Sequence, residues 1–372
     1  MRNFYLLVFI LFVFGCKSSN NEEIDTISIE NNISDAISID DIFKEYKFIS
    51  LEATTDSSLV GVPRKIALKN DVIFVSDGRR LFQFNTDGSH IRTLNKVGGG
   101  PQEYLGIWDF IVSDKEILIW DQNSRKLIRY TLDNEYINSY VIDNFAATIH
   151  LVDRDKVLFS SSYQSNDEYK FTVRDLETMN IVASFHPVNK NQITYRHFAE
   201  QDNYYVYKNT LLFHEPMNNY IYEIGNNKFE PVRYLDIYGK NPPEEFLEEK
   251  HEDIMDIIVK AQTNGYCYGA PMYAESNDQI VFSFRAEDRT MLCSYSKETD
   301  KSIQSEKIVL YQDVPPIEFM RVKVNTDSDE AFLFAVGSET FYKDVDNNIP
   351  YVEDLSYLSN NGNPVICLAK LK

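Results

Sequence analysis

The feature that most constrains this chain is a repeated unit of about 40–50 residues, a spacing typical of propeller blades. Residues 73–91 align with residues 117–137, first at an offset of 44 and then, after a two-residue insertion, at an offset of 46. Both segments place alternating apolar residues before an aspartate and a second apolar run after it. Such internal repetition indicates one supersecondary unit that is stacked many times.

Six copies of this unit can be traced, with leading strands that start near residues 73, 117, 157, 211, 280 and 331. Each copy contains several short runs with β-type composition, separated by turn residues. The 24 tyrosines and 24 phenylalanines supply large side chains that pack between flat sheets. The sequence therefore predicts an all-β fold, a six-bladed β-propeller with four strands in each blade.

The last copy is one strand short, because it ends with the run PVICLAKLK at residues 364–372. The segment EYKFISLE at residues 45–52 has strand composition and precedes the first copy. Adding this N-terminal strand to the last blade would close the ring and leave no bare edge there. We therefore predict that the propeller covers residues 43–372 and is closed by its N-terminal strand.

One insertion interrupts the repeat at residues 241–263, where two prolines and several acidic residues precede an apolar stripe. Proline and acidic residues favour the first turn of a helix. The apolar residues have helical spacing, which predicts a single helix between blades four and five that packs on the propeller. The stripe consists of Leu247, Ile254, Ile258 and Ala261.

The N-terminus has the pattern of an export signal. Residues 4–15 are apolar and follow Arg2. Cys16 comes directly after them and completes the motif VFGC at residues 13–16. This run is shorter than the roughly 20 residues that span a bilayer. The VFGC motif resembles a bacterial lipobox, which predicts a signal peptide at residues 1–15 and lipidation of Cys16 by acyl chains such as palmitate; a signal without lipidation is the alternative. We expect a polar tether at residues 16–42 and a lipoprotein of the cell envelope, in the outer membrane and facing either the periplasm or the surface.

The charge of the chain and its cysteines limit the classes of ligand and bond that we expect. The net charge of −20 disfavours nucleic acid, whose phosphates require a basic face. The three cysteines that remain beside Cys16 are Cys267, Cys293 and Cys367, and their spacing fits no zinc motif. Three buried thiols are favoured, with a disulfide between Cys267 and Cys293 as the alternative. No cofactor is predicted.

A glycine-rich stretch, GGGPQEYLG at residues 98–106, follows the first unit. A phosphate-binding loop would need a helix and a Lys-Ser/Thr pair after it, and here a strand follows. We interpret the stretch as the connector between blades one and two, where glycines permit positive φ and close packing.

At this connector the chain resembles the six-bladed β-propeller lipoproteins of Bacteroidetes, relatives of NHL-repeat propellers. Their pattern combines a strand ending in Asp, a Leu-x-x-Phe-x-x-x-Gly stretch and a Gly-x-Gly-Pro-Gly-Glu-Tyr connector. This chain has VSDGRRLFQFNTDG at residues 75–88, and Gln102 replaces one glycine of the connector. The resemblance implies the fold and export, and it implies no activity.

The candidate ligand-binding residues lie where each innermost strand is expected to begin, at the mouth of the central channel. Three arginines there contrast with the acidic chain, and guanidinium groups suit carboxylates. We expect an acidic ligand, such as a glycan, a peptide or a partner protein; the alternative is that each arginine pairs with a neighbouring acid. The candidates are Arg64, Trp108, Asp109, His150, Arg196, His197, Tyr273 and Arg321.

Three carboxylates, Asp77, Asp121 and Glu215, recur at the ends of second strands. They are weak candidates for a divalent cation site, as in propeller lactonases and lyases. A structural role, in which each accepts backbone N–H groups of the loop that follows it, is favoured because the position repeats. We therefore expect a binding protein, and a lyase or lactonase that uses channel His and Arg residues or a cation is the alternative.

Overall fold

The computed structural model describes residues 24–161, 168–192, 203–215, 217–225, 228–318, 323–326 and 331–372. Six sheets of three to five strands follow one another around a ring, and the predicted six-bladed β-propeller is confirmed. The signal peptide and Cys16 lie outside the described residues. Blades 1 to 5 are antiparallel, with the first strand innermost; in blade 6 the three outer strands pair antiparallel and the first strand pairs in parallel with blade 1.

Blades 1 to 3 each use four consecutive strands. For blade 2 the sequence predicts strands at 107–113, 116–121, 126–131 and 135–142, and every strand end is correct to within two residues. The strands of blade 1 are Lys65–Lys69, Val72–Ser76, Leu81–Asn85 and His90–Leu94; those of blade 2 are Asp109–Val112, Glu116–Asp121, Lys126–Thr131 and Tyr136–Val141; those of blade 3 are Thr148–Asp153, Lys156–Ser160, Tyr169–Asp175 and Ile181–Pro187.

Blades 4 to 6 carry the additions to the repeat. Blade 4 consists of Tyr204–Tyr207, Thr210–His214, Tyr220–Ile224 and Phe229–Ile237; blade 5 consists of Cys267–Glu275, Gln279–Ala286, Arg289–Ser296 and Lys301–Ser305; blade 6 consists of Lys323–Thr326, Ala331–Val336, Val365–Leu371 and Phe43–Ser50. Short strands Lys307–Val309 and Ile317–Glu318 follow blade 5, and the long loop of blade 6 contains strands Tyr342–Asp344 and Ile349–Pro350 and 3₁₀ turns Ser338–Phe341 and Glu353–Leu355.

The N-terminal strand closes the ring as predicted. Phe43–Ser50 pairs antiparallel with Val365–Leu371, and Phe48 faces Cys367 in this register. At the channel, the first strand of blade 6 also pairs in parallel with the first strand of blade 1, Lys323 opposite Lys65. Both the rim and the centre of the ring are therefore joined by backbone hydrogen bonds.

The tether prediction is wrong from Asp25 onward. Asp25–Ile29 adds to the outer edge of blade 4 in parallel with Phe229–Ile237. Ile37–Ser38 then pairs with Lys307–Val309 beside blade 5, and helix α1, Ile39–Ile42, leads into blade 6. Residues 25–42, named the N-terminal strap, therefore cover the rims of two blades, because the alternating Ile27 and Ile29 bury their side chains against blade 4.

The helical insertion also differs from the prediction, since it forms two helices in place of one. Helix α2 is Glu244–Glu248 and helix α3 is Ile254–Thr263, which begins with an Asp253 cap. Phe246, Ile257 and Ala261 are buried, whereas the predicted stripe residues Ile254 and Ile258 are only half-buried. The break after α2 rotates the buried face by about one position, and the helices pack against blades 4 and 5.

The core lies between neighbouring blades, where apolar side chains from facing sheets interlock. Trp120, Tyr104 and Tyr130 are fully buried there. Cys267, Cys293 and Cys367 are free buried thiols, which confirms the favoured alternative over a disulfide. Burial raises the pKa of each of these thiols, so all three stay protonated at neutral pH.

The glycine stretch is the predicted connector between blades 1 and 2, held by a bridge between Val97 and Tyr104. The Glu103 carboxylate accepts the N–H of Gly100 at 2.7 Å and lies against Gly98, where a Cβ would overlap it. Neither glycine has a positive φ. The close-packing part of the prediction is therefore confirmed at Gly98, and the positive-φ part is wrong.

Candidate functional site

The top face of the propeller is defined here as the face where the first strand of each blade begins. Because successive strands of a blade run antiparallel, three kinds of segment lie on this face. They are the starts of the first strands, the loops between second and third strands, and the connectors between blades. Residues far apart in sequence are therefore brought around one channel mouth. The predicted site residues at positions 64, 108, 109 and 150 all lie in these segments.

Asp109 joins three blades instead of facing a ligand. Its Oδ1 accepts a hydrogen bond from Lys65 Nζ at 2.6 Å, and its Oδ2 accepts the Ile149 N–H at 2.9 Å and the Thr148 hydroxyl. The carboxylate is fully buried and the lysine nearly so. Such a buried, hydrogen-bonded pair holds the first strands of blades 1 to 3 in register.

His150 is also part of the wall of the channel. Its ring lies 4.1 Å from the ring of Tyr204, and its Nε2 is 3.1 Å from the Thr148 hydroxyl. Burial raises the pKa of the Tyr204 hydroxyl, so this tyrosine stays protonated. His150 therefore connects blade 3 to blade 4 and is nearly closed to solvent.

Arg64 lies exposed at the mouth, immediately before the buried Lys65. Its guanidinium covers Gly78, where a Cβ would stand 2.8 Å from Arg64 Nε. The Arg64 side chain makes no ion pair and no hydrogen bond with the described residues, and Asp77, which precedes Gly78, pairs with Arg80. Of the three predicted arginines, Arg64 is the one that lies within the described residues, and its guanidinium is available to an anion.

Trp108 lies on the same face, immediately before the first strand of blade 2. The Ile107 N–H donates to the carbonyl of Gly78, the residue that Arg64 covers, at 2.8 Å. The indole of Trp108 is 45% exposed, and its Nε1 donates to the Ala147 carbonyl at 3.0 Å. The Arg64 guanidinium therefore lies against Gly78, whereas the Trp108 indole is bonded to the connector between blades 2 and 3.

Tyr273 does not lie at the mouth, and this prediction is wrong. The first strand of blade 5 begins at Cys267, six residues earlier, and contains a bulge between Gly269 and Tyr273. The Tyr273 hydroxyl is buried and donates to Glu275 at 2.7 Å. Arg233 and Lys297 pair with the same carboxylate, each at 2.6 Å, so this cluster links blades 4 and 5.

The structural reading of the recurring carboxylates is confirmed at two positions. Asp77 accepts the N–H groups of Arg79 and Arg80 and pairs with the Arg80 side chain. Asp121 accepts the N–H groups of Asn123 and Leu105, so it ties the blade 2 loop to the connector. Among the residues described, no three His, Cys, Asp or Glu side chains form a group that could hold a metal ion.

Glu215 departs from this loop-capping pattern. It is buried beside Lys170 of blade 3, with which it forms an ion pair, and its Oε2 is 3.8 Å from His186 Nε2. Burial lowers the pKa of Lys170 and raises the pKa of Glu215, because each charged form loses its hydration. Burial and the neighbouring lysine also lower the pKa of His186 to about 3, so it is neutral and a weak base at pH 7.

Arg196, His197 and Arg321 lie outside the described residues. Sequence reasoning missed Lys65, the partner of Asp109, and Lys170, the partner of Glu215. Lys65 carries a detectable signal, because it begins an innermost strand in the same repeat position as Asp109. Lys170 carries none, since its partner is 45 residues away in the next blade.

Comparison with known proteins places this architecture. Residues 24–370 match the family described as a domain of unknown function, DUF4934. The chain belongs to the DUF4934 family. The match begins one residue before the N-terminal strap, which agrees with the packing of the strap on blades 4 and 5.

Solved structures share the fold of this DUF4934 protein. A Bacteroides fragilis protein whose name describes it as exported is 17% identical, with a TM-score of 0.72, over 93% of this chain and 99% of that chain. A DUF4221 family member from Bacteroides vulgatus is 10% identical, with a TM-score of 0.50, over 89% of this chain and 97% of that chain. No curated protein matches the sequence. In the described part of the DUF4934 chain, none of the helices has the length and apolar character needed to cross a membrane.

Proposed function

We propose that this protein is a lipid-anchored binding protein of the cell envelope that takes an acidic ligand at the top mouth of its propeller. The observation that carries the proposal is the exposed Arg64 guanidinium, which pairs with no described carboxylate; the exposed Trp108 lies on the same face of the propeller. A guanidinium forms two parallel hydrogen bonds with a carboxylate, and an indole adds a flat apolar surface.

The charge of the chain makes this arginine informative. With 57 acidic and 37 basic side chains, an arginine can easily find a partner within its own protein. Arg80, Arg129 and Arg233 do so. Arg64 has no such partner among the described residues although it lies at the channel mouth, and an external anion is the partner that we propose for it.

Anchoring through Cys16 is the second part of the proposal. The lipobox-like VFGC motif and the shared fold with the exported Bacteroides fragilis protein support it. A Cys16→Ser variant should move from the detergent phase to the aqueous phase in a phase-partition experiment, and the parent should remain in the detergent phase. Outer-membrane placement is tested by separating inner and outer membranes and probing for the parent protein.

The binding proposal is tested by calorimetry of the full chain against polygalacturonate, an acidic peptide and their neutral counterparts. We expect the acidic probes to bind and the neutral probes to bind at least tenfold more weakly, which corresponds to about 1.4 kcal/mol. Arg64→Ala should weaken acidic binding by a similar factor. The triple change of Arg64, Arg196 and Arg321 to Ala should abolish it.

A matched control is Arg154→Ala. Arg154 is also exposed, but it lies in the turn between the first two strands of blade 3, on the face opposite the mouth. This variant should bind acidic probes like the parent. If the triple variant binds as tightly as the parent, the proposed function is wrong.

The enzyme alternative, a lyase or lactonase, gains no supporting geometry in the described residues. His150 is buried in the channel wall, and the lowered pKa of His186 makes it a poor general base. We therefore propose recognition as the function.

A further inference from the structure

The two connectors beside blade 1 carry an unusual share of exposed apolar surface. Fifteen large apolar side chains are exposed among the described residues, and five of them lie on these connectors. These five side chains are Leu59, Val62, Val97, Leu105 and Trp108. The blade 1 patch is defined as these five together with Arg64 and Arg79. Scattered apolar residues are ordinary on a surface, but a cluster of this kind indicates an interaction site.

Contacts in the backbone bring the parts of the patch together. Both connectors lie against the loop between the second and third strands of blade 1. On one side the Leu59 carbonyl accepts a hydrogen bond from Arg80 at 2.9 Å, and Gly61 lies against Asp77. On the other side the Ile107 N–H donates to Gly78 of the same loop at 2.8 Å.

The charge of the patch is opposite to that of the chain. The connector segments 56–64 and 95–108 and the loop 77–80 contain four basic and three acidic residues, in a chain of net charge −20. Two of the acids have partners within these segments, because Asp77 pairs with Arg80 and Glu103 accepts the Gly100 N–H. Arg64 and Arg79 have no such partner among the described residues, so the patch favours an anionic occupant.

We propose that the blade 1 patch binds an extended peptide segment of a partner protein, in which acidic residues alternate with large apolar ones. This inference rests on the proposed function and specifies its ligand. The arginines would bind the acidic side chains, and Val62, Leu105 and Trp108 would cover the apolar ones. The footprint is off-centre, over blade 1, rather than inside the channel.

The apolar composition distinguishes a peptide from a glycan. Sugar sites need polar side chains that bond to hydroxyl groups, in addition to a stacking ring. Four of the five apolar side chains of the blade 1 patch are aliphatic, and Val62 is 82% exposed with no polar function to offer. Burying such side chains stabilises a complex only when the partner also contributes apolar surface.

The net charge distinguishes a peptide from a membrane. An anionic bilayer is an extended surface, and it would meet the field of the whole chain at −20 as well as the patch. A peptide responds mainly to charges within a Debye length of about 8 Å, where the two arginines dominate. The observations therefore favour a peptide over a lipid surface.

The test begins with peptide selection. A random heptapeptide display library is panned on the immobilised full chain in mild detergent. We expect the selected sequences to be enriched, relative to the input library, in an acidic residue within three positions of a large apolar residue. If no such enrichment occurs, the inference is overturned.

Direct binding then locates the site. A fluorescein-labelled copy of the strongest peptide should lose about tenfold or more in affinity, measured by anisotropy, in Val62→Asp and in Arg79→Ala. Val141→Asp and Arg154→Ala are the matched controls, since Val141 is 73% exposed on the rim of blade 2. Both controls should bind within about twofold of the parent. Equal binding by Val62→Asp and the parent would place the peptide elsewhere and overturn the inference.

The same variants separate this inference from the proposed function. If polygalacturonate binding depends on Arg64 while no peptide depends on Val62, the acidic-ligand site stands and the peptide assignment is overturned. If the triple variant of Arg64, Arg196 and Arg321 binds every acidic probe like the parent, the proposed function and this inference both fail. Phosphatidylglycerol vesicles are the last probe. If the parent binds these vesicles, Val62→Asp does not, and no peptide binds the parent, the patch is a membrane-binding surface and the inference is overturned. Folding of each variant is checked by thermal unfolding, and Leu105→Asp is a second apolar variant.

Discussion

Lys65 Nζ lies 2.6 Å from Asp109 Oδ1, and this buried ion pair joins the innermost strands of blades 1 and 2. The lysine also donates to the Phe110 carbonyl at 2.7 Å, so both of these acceptors belong to the channel wall. The basic residue before it, Arg64, is exposed at the mouth. Arg64, just before the strand, and Lys65, its first residue, thus have different roles, one at the surface and one in the channel wall.

Removing the lysine should strongly destabilise the propeller. In Lys65→Ala the Asp109 carboxylate stays buried without its cation, and we expect a loss of about 3–5 kcal/mol in the free energy of unfolding. Urea titration followed by tryptophan fluorescence measures it. Asp114→Ala is the control, because Asp114 forms an exposed pair between the same two blades and its loss should change stability little. Equal losses in both variants would contradict a role for burial.

The N-terminal strap should contribute to stability, in contrast to a free tether. Ile37 is fully buried beside blade 5, so Ile37→Ala should cost about 2–5 kcal/mol. Glu30→Ala, an exposed change on the same strap, should leave the denaturation midpoint nearly unchanged. A parent-like midpoint for Ile37→Ala would mean that the strap is not held on the propeller in solution.

The repeat made most of the fold predictable, for a physical reason. Each blade must bury both faces of its sheet, so the apolar pattern returns in every unit and fixes strands such as Glu116–Asp121 and Lys126–Thr131. The closing strand was predictable because the last unit lacked one. The N-terminal strap was not predictable, because a strand added at the edge of a blade does not follow the repeat. The strand with which it pairs, Phe229–Ile237, lies some 200 residues away in the sequence.

The candidate site was predictable only in outline. Strand starts place Arg64 and Trp108 at the mouth, but whether a side chain is exposed or buried depends on contacts between blades. Asp109 meets Lys65 and becomes part of the wall. Tyr273 was misplaced because a bulge and an earlier strand start, at Cys267, moved it down the strand.

Two neighbouring glycines of the connector should differ in their tolerance of alanine. In Gly98→Ala the new Cβ would overlap the Glu103 carboxylate and break its hydrogen bond to the Gly100 N–H. We expect a loss of about 1.5–3 kcal/mol, the range for a hydrogen bond to a charged group. Gly99→Ala, with nothing within 4 Å of its Cβ, should be neutral. In a Glu103→Ala background the cost of Gly98→Ala should disappear; an unchanged cost would exclude the contact as its cause.

Acid should destabilise the protein through His214. This side chain is fully buried against Gly269, and neither ring nitrogen has a hydrogen-bond partner among the described residues. Burial lowers its pKa from 6.5 to about 4. Between these values the unfolded chain binds the proton and the folded chain does not. The stability is therefore complete above pH 6.5 and is lost as the pH falls toward 4.

A His214→Leu variant tests this directly, because leucine keeps an apolar side chain in the buried site and cannot take a proton. Between pH 7 and pH 4.5 the parent should lose about 2–3 kcal/mol more than the variant in the free energy of unfolding, as a shift of one pKa unit corresponds to about 1.4 kcal/mol. Above pH 7 the difference between the two proteins should not vary with pH. Urea titrations at several pH values measure both quantities, and parallel losses down to pH 4.5 would show that His214 accepts its proton in the folded state.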